Sequence, residues 1–252
     1  MSHSNVTSID EAARKQSDST SSNTEAKVTN ESTGTKGPEL SVLIPVYNEE
    51  AIITSSVEDL VAVLDGMGWS YELILCENGS RDATQSLANN LSERFPSVRY
   101  LTVGEPNYGK ALRRGILEAR GKFVICDEID LCDIRFYRNA MAILRQGDVE
   151  MVIGSKLLDP SSDNRGWFRN TASQILNQML RTLVGFEGTD THGLKAFRRD
   201  AMLKIVESCL VDKDLFASEM VIRSERKNIR ITEIPLVVEE KRRPSIALTR
   251  RV

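Results

Sequence analysis

The sequence is short of the features that mark several large functional classes. It has no basic excess: 33 Lys and Arg stand against 36 Asp and Glu, a net charge of −3. Proteins that neutralise nucleic-acid phosphates usually carry a strong positive balance, so no nucleic-acid partner is expected. No apolar run approaches the roughly 18 residues that a membrane span needs. The start, MSHSNVTSID, has no apolar signal core. No secretion is expected, and the location expected is cytoplasmic. Histidine occurs twice, with His3 in a polar stretch, which speaks against a zinc site. The four cysteines, Cys76, Cys126, Cys132 and Cys209, form no C-x-x-C pair and read as free thiols in a reducing compartment. Residues 1–37 hold almost no large apolar side chain. Such a segment cannot bury enough surface to offset its ordering entropy and is expected to be disordered.

What remains is ordinary globular material. The chain has 252 residues, 40% hydrophobic and 27% charged, enough for one good-sized core over residues 38–252. Apolar runs alternate with helical spacing. Strands are expected at 40–48, 71–78, 98–104, 121–128 and 148–156. Helices between them are marked by Ile52, Ile53, Val57, Leu60, Val61 and Leu64, by Ala83, Leu87, Leu91 and Phe95, and by Phe136, Met141 and Leu144. Alternation of this kind implies βαβ crossovers and an α/β fold with a mostly parallel sheet. The second half is less regular. GLKAFRR and IRITEIPLVV read as strands, and Ile175, Leu176, Met179, Leu180 and Leu183 share one helical face.

Ligands of such sheets bind at the carboxyl ends of the strands. Three polar clusters fall there: Tyr47-Asn48-Glu49, Glu77-Asn78-Gly79-Ser80 and Asp127-Glu128-Ile129-Asp130. They are expected to converge on one crevice. An acid-x-acid step on an extended chain points both carboxylates the same way, as Glu128 and Asp130 would. Mg²⁺ is commonly held by one or two carboxylates plus substrate phosphates. The bland alternative is a solvated loop with Asp130 or Asp133 capping a helix that starts at Ile134. At the end of a buried strand the metal reading is favoured. Pro45 and Tyr47 suit a wall for a flat base, and Glu77 suits an acceptor for base or ribose, while Asn78-Gly79-Ser80 reads equally as a turn. Lys110 and Arg114, near a helix start, suit a diphosphate or the base-binding loop. Lys156, Arg169 and Ser173 suit an acceptor phosphate, or equally a surface of paired charges. His192 reads as structural, and Asp190 beside it as facing the crevice.

In this order the segments resemble family 2 glycosyltransferases of the GT-A fold, most nearly the dolichyl- and polyprenyl-phosphate mannosyl- and glucosyltransferases. SVLIPVYNEE and ENGSRDAT are similar to the family's nucleotide-binding segments. NYGKALRRGILEARGKFVICDEID resembles the stretch that leads into its DxD motif. VIGSK with Arg169 and Ser173 resembles the acceptor-phosphate segment, and EIPLVVEEKRRPS the strand and basic loop that close over the site. The likeness runs from about Leu40 to Ser245. It implies an inverting hexosyl transfer from a GDP- or UDP-sugar to a polyprenyl phosphate at a membrane surface. The runner-up acceptor is a hydroxyl of a glycan or small molecule, and the alternative to transfer is a non-catalytic nucleotide-sugar-binding module. It implies Mg²⁺ or Mn²⁺ on Glu128 and Asp130, with Glu49, Asn78 and Asp127 toward the nucleotide sugar. Lys241, Arg242 and Arg243 fall in the closing loop. A hydroxyl acceptor would call on Asp190 or Glu219 as base, whereas an anionic phosphate needs none. The nucleotide-binding half would lie at about 38–132 and the acceptor half at about 133–252.

Overall fold

The expected strands of the first half are apolar on both faces, and the computed structural model gives the reason: helices cover them on both sides. The structure describes residues 37–155, 158, 188, 191 and 193–236. In chain order these form β1 (Leu40–Val46), α1 (Ile53–Gly66), β2 (Tyr71–Glu77), α2 (Thr84–Arg94), β3 (Val98–Thr102), α3 (Tyr108–Glu118), β4 (Phe123–Cys126), α4 (Ile134–Gln146), β5 (Met151–Ser155), β6 (Leu194–Arg198), α5 (Arg199–Ser208), a 3-10 turn (Lys213–Leu215), α6 (Phe216–Arg226) and β7 (Ile231–Pro235).

The strands build one sheet of order β3-β2-β1-β4-β6-β5-β7. β1 lies parallel to both β2 and β4, and β2 parallel to β3. β6 runs antiparallel between β4 and β5, and β5 is parallel to β7. Residues alternate between two apolar layers, as the two-residue period of a strand requires. Val42, Ile44 and Val46 of β1 pack with Val57, Leu60 and Leu64 of α1 and Tyr137 and Met141 of α4. Leu43, Ile74 and Val124 face the other way, into Leu112 and Ile116 of α3, Val206 of α5 and Met220 of α6. This double burial produces continuous apolar strands rather than half-polar ones.

One buried charge of the sheet lies at the amino ends of the strands. Glu72, 5% exposed, accepts from the Ser41 hydroxyl at 2.6 Å, the Arg120 N–H at 2.6 Å and Arg99 at 2.7 Å. Ser41 Oγ in turn accepts from Gly121 N at 2.8 Å. Burial pushes the Glu72 carboxyl up, but these donors outweigh it and hold the group below the ordinary carboxylate value. The network ties β1, β2, β3 and the entrance to β4 together at the edge of the sheet away from the ligand-binding edge.

Two helices, α5 and α6, occupy the stretch that looked irregular in the sequence. The apolar segment around Ile175–Leu183 lies outside the described residues.

Candidate active site

The strand order reverses at β1: β2 and β3 lie on one side of it and β4 on the other. Such a switch point opens a crevice at the carboxyl ends of the two central strands. The structure brings the three polar clusters together there. Asn78 N donates to Val46 O at 3.1 Å, and Asp127 N to Leu43 O at 3.0 Å, so the ends of β2 and β4 are both tied to β1. Each helix that follows a parallel strand starts at this edge, so the amino ends of α1 to α4 face the same side and favour negative charge.

The loops after β1 and β2 are laced to each other. Asn48, at a φ of 54°, donates its N–H to Ser80 Oγ at 3.1 Å and accepts from Arg81 N at 2.9 Å. Glu49 N donates to Thr84 Oγ1 at 2.7 Å, Glu50 N to Asp82 at 3.2 Å, and Ala83 N to Glu50 at 2.9 Å. Tyr47 is left exposed above this frame, and Pro45 is half-buried beneath it. Gly79 has a φ of 76°, and a Cβ there would overlap the Glu105 backbone. Only glycine lets the β2–α2 turn approach the β3–α3 loop this closely.

Glu77 occupies this frame as its organiser. It is 1% exposed, and its two oxygens accept from Ser80 N and from the Thr102 hydroxyl, each at 2.5 Å. Burial pushes its carboxyl up, but the donors at Ser80, Thr102 and Gly79 hold it below the usual range. The structure shows the turn reading of this stretch, with Glu77 building the turn. Asn107 does similar work one loop further on. Its N–H donates to Asn78 Oδ1 at 3.0 Å, and its own Oδ1 accepts from Lys110 N at 3.0 Å, capping α3, and from Lys213 N at 3.0 Å.

The acids after β4 do not lie on an extended chain. Leu131 N and Cys132 N both return to Glu128 O, at 3.0 and 3.3 Å, so residues 128–132 form a turn that closes on Cys132 at a φ of 45°. The period-two argument for Glu128 and Asp130 therefore fails. The turn, with Ile129 buried beneath it, leaves Glu128 exposed and Asp130 half-buried. Asp133 caps α4, accepting from Arg135 N and Phe136 N. Asp127, 3% exposed, sits at the strand end itself. Its Oδ1 accepts from Glu128 N at 2.6 Å, and its Oδ2 is buried without a hydrogen-bond partner of full geometry. Burial pushes this carboxyl up to about 7; hydrogen bonding from Tyr137 and Glu128 N opposes that, and the charges of Glu128 and Asp133 add to it. Tyr108, the first residue of α3, borders the same acids: burial raises its phenol and the charge of Glu128 raises it further.

These acids fit a hard divalent cation. All are oxygen donors: Asp127 is buried with no hydrogen-bond partner of full geometry on Oδ2, and Glu128 and Asp130, exposed and half-buried, follow it in the turn. Among the described residues no three His, Cys, Asp or Glu side chains form a complete ligand set. The protein would supply one or two carboxylates at Asp127, Glu128 and Asp130, and the diphosphate and water the rest.

Other residues singled out from the sequence land elsewhere. Lys110 pairs with Glu105 at 2.5 Å, and Arg114 binds Glu118 at 2.8 Å and Thr102 O at 2.5 Å, so both cations are already engaged. Glu219 accepts from Leu210 N, Val211 N and Arg223. Burial raises its carboxyl, but these donors outweigh burial and hold it below the usual range, the wrong direction for a base. Glu219 pins the loop before the 3-10 turn instead. Lys156, Arg169, Ser173, Asp190, His192, Lys241, Arg242 and Arg243 lie outside the described residues. The sequence reading missed Asn107, Thr102, Tyr108 and Tyr137. Asn107 had a visible signal, an Asn just ahead of a helical pattern; the others act only through contacts distant in the chain.

The model of a family described as "Glycosyl transferase family 2" matches residues 41–206, from β1 through most of α5. Among curated proteins, the chain is 29% identical over 212 residues to a dolichyl-phosphate beta-glucosyltransferase of Dictyostelium discoideum, covering 77% of this chain and 64% of that one. It is 27% identical over 221 residues to the glycosyltransferase AglD of Haloferax volcanii, covering 86% and 35%. It is 29% identical over 201 residues to an undecaprenyl-phosphate 4-deoxy-4-formamido-L-arabinose transferase of Aeromonas hydrophila, covering 76% and 58%. The chain thus spans less than two thirds of the length of each of these relatives. Among solved structures, glucosyl-3-phosphoglycerate synthase of Mycobacterium tuberculosis, in complex with Mn²⁺, UDP and phosphoglyceric acid, aligns with a TM-score of 0.60 at 22% identity, covering 82% of this chain and 72% of that one. A mannosyltransferase of Pyrobaculum calidifontis, in complex with GDP-Man and Mn²⁺, aligns with a TM-score of 0.55 at 19% identity, covering 84% and 59%. At these identities the two structures speak for the fold, GT-A. The family match contains β1 to β4, and with them the switch-point crevice and all three of its polar clusters: the chain belongs to glycosyl transferase family 2.

Proposed function

We propose that the protein is an inverting glycosyltransferase that moves a hexose from a GDP- or UDP-sugar to a polyprenyl or dolichyl phosphate. The observation that carries the proposal is the acid group at the switch point, where the buried carboxyl of Asp127, with no hydrogen-bond partner of full geometry on Oδ2, stands beside Glu128 and Asp130. The names of two relatives, a dolichyl-phosphate and an undecaprenyl-phosphate transferase, support the acceptor class.

In this reading Glu77 and Asn48 hold the two nucleotide loops in register, Tyr47 stacks on the base, and Pro45 backs it. Glu49 and Asn78 line the same pocket. The amino ends of the helices and the acid turn receive the diphosphate and its Mg²⁺ or Mn²⁺. The cation supplies charge neutralisation for the leaving diphosphate. Lys156, Arg169 and Ser173, in the acceptor half, would orient the acceptor phosphate, with Lys241, Arg242 and Arg243 closing over it. That phosphate is already anionic and attacks the anomeric carbon from the face opposite the leaving group, so no protein base is required. Glu219, bound up in the loop it pins, fits a reaction without one.

No helix among the described residues is long and apolar enough to cross a membrane. Contact with a lipid acceptor would then be peripheral. Leu210, 82% exposed, and Leu215, 56% exposed, stand on the loop that Glu219 and Asn107 hold from behind, and give such contact an apolar foothold.

The test is transfer of label from GDP-mannose, GDP-glucose and UDP-glucose to dolichyl or undecaprenyl phosphate in vesicles. Cation-dependent appearance of a lipid-linked hexose, lost in Asp130→Ala, is expected. Label that passes only to a glycan or small-molecule hydroxyl would overturn the acceptor assignment. Equal rates for wild type and Leu210→Ser/Leu215→Ser on vesicle-held acceptor would remove the loop from it.

A further inference from the structure

Two polar atoms in the described core have no business facing each other unsatisfied. Tyr137 lies in the first turns of α4 and is fully buried, yet its hydroxyl has no hydrogen-bond partner of full geometry. Asp127, 3% exposed, likewise has an unpartnered Oδ2. The two belong to one another: the Tyr137 hydroxyl is directed at the Asp127 carboxyl, and the other ionisable groups facing that phenol are Cys132 and Asp133. A buried hydroxyl and a buried carboxylate oxygen each cost stability when left unmade. Phenylalanine would fill the same space in an otherwise apolar layer made by Val46, Phe136 and Met141. A tyrosine at this position is therefore explained by what its hydroxyl does, not by packing.

A short turn of backbone joins the two. Asp127 is fixed by its N–H on β1, and Tyr137 by its place in α4. Between them runs the acid turn, which ends on Cys132 in the left-handed region, an uncommon conformation for a side chain other than Gly, Asn or Asp.

We propose that Tyr137 is a positioning residue for the donor site: its hydroxyl donates to Asp127 Oδ2 and holds that carboxylate in the orientation that receives the nucleotide diphosphate and its cation. A carboxylate oxygen has two lone pairs, so Oδ2 accepts from Tyr137 and still presents one toward the crevice. Outer partners of this sort fix the direction of ligating carboxylates, and their loss typically costs 10–100-fold in affinity. The inference rests on the donor-site reading above and goes one residue further into the protein.

The experiment compares the full chain with Tyr137→Phe, without activity as a readout. Thermal unfolding without ligand should leave Tyr137→Phe at the wild-type midpoint or above it, because an unsatisfied buried hydroxyl has been removed. Calorimetric titration with UDP and GDP in the presence of Mn²⁺ should then show affinity reduced about tenfold or more. A merely structural hydroxyl would move the first measurement and not the second. Asp127→Asn supplies a cycle: Tyr137→Phe should add little further loss to a protein that already carries Asp127→Asn, since the hydroxyl acts through that carboxylate. Wild-type affinity in Tyr137→Phe, or fully additive losses in the double variant, overturns the inference while the donor site stands. Failure of the wild type itself to bind either nucleotide with Mn²⁺ overturns the donor site and the inference with it.

Discussion

Glu77→Gln separates building the site from touching the ligand. Glu77 is 1% exposed, with one oxygen on Ser80 N–H and the other on the Thr102 hydroxyl. Gln keeps an oxygen for the Ser80 N–H. Its amide then turns toward Thr102, whose hydroxyl can rotate from donor to acceptor. No donor is stranded, so the loss is confined to the charge on two hydrogen bonds. Bonds to an ionised group contribute about 1.5–3 kcal/mol against about 0.5–1.5 for neutral ones, a difference of about 1 kcal/mol each and about 2 in all. For a domain of this size that lowers the unfolding midpoint by about 4–8 °C. Glu77→Ala strands both donors and opens a cavity, and should cost about 4 kcal/mol. The assay is thermal unfolding followed by circular dichroism near neutral pH without ligand. A Glu77→Gln protein that unfolds at the wild-type midpoint but no longer binds nucleotide would refute the reasoning, because Glu77 would then act on the ligand and not on the turn.

Further outcomes follow from the same geometry. Asn107→Ala removes the cap of α3 and the acceptor for Lys213 N, and should cost about 1–2 kcal/mol in chemical denaturation; a loss under about 0.3 kcal/mol would mean that water replaces the cap. Glu72→Gln tests the network at the amino ends of the strands. Its carboxyl is held below 4.5 in the folded protein, so its contribution is complete above that value and is lost as pH falls through the lower, folded one. The gap between wild type and Glu72→Gln should be constant from about pH 8 to about pH 5 and close below it. A gap that widens in acid would reverse the sign assigned to Glu72.

Much of this architecture was legible along the chain because it is local. Unbroken apolar runs such as LSVLIPV and YELILCE mark β1 and β2, and the helical spacing of Val57, Leu60 and Leu64 marks α1. Polar residues directly after such runs have to lie at the strand ends, so Glu77, Asn78 and Asp127 could be named before their contacts were known. Boundaries were read a few residues long, since a strand and the polar turn after it share the same extended start. The insertion of β6 between β4 and β5 was not legible, because pairing partners are chosen by packing between segments far apart in sequence. For the same reason α5 and α6 were missed: their buried residues, such as Met202, Val206, Met220 and Val221, are spaced among Lys, Glu and Arg that carry no sheet signal. In the site itself, the turn at residues 128–132 defeated a strand-based rule, because Ile129 is drawn into the core and breaks the alternation. The roles of Thr102 and Tyr137 depend on neighbours 25 and 10 residues away and leave no local pattern, whereas only the capping half of the Asn107 role shows along the chain.

The central claim, that the switch-point crevice binds a nucleotide diphosphate through its acids and a divalent cation, is tested most directly by thermal unfolding with UDP and with GDP, each with and without Mn²⁺. A ligand at a hundredfold excess over its Kd adds about 2.7 kcal/mol to the native state, or about 5–10 °C for a domain of this size. The account predicts a rise of that order with one of the two nucleotides, only when Mn²⁺ is present, and its loss in Asp130→Ala. An equal rise without Mn²⁺ would mean that Asp127, Glu128 and Asp130 hold no cation, and no rise with either nucleotide would contradict the donor site itself.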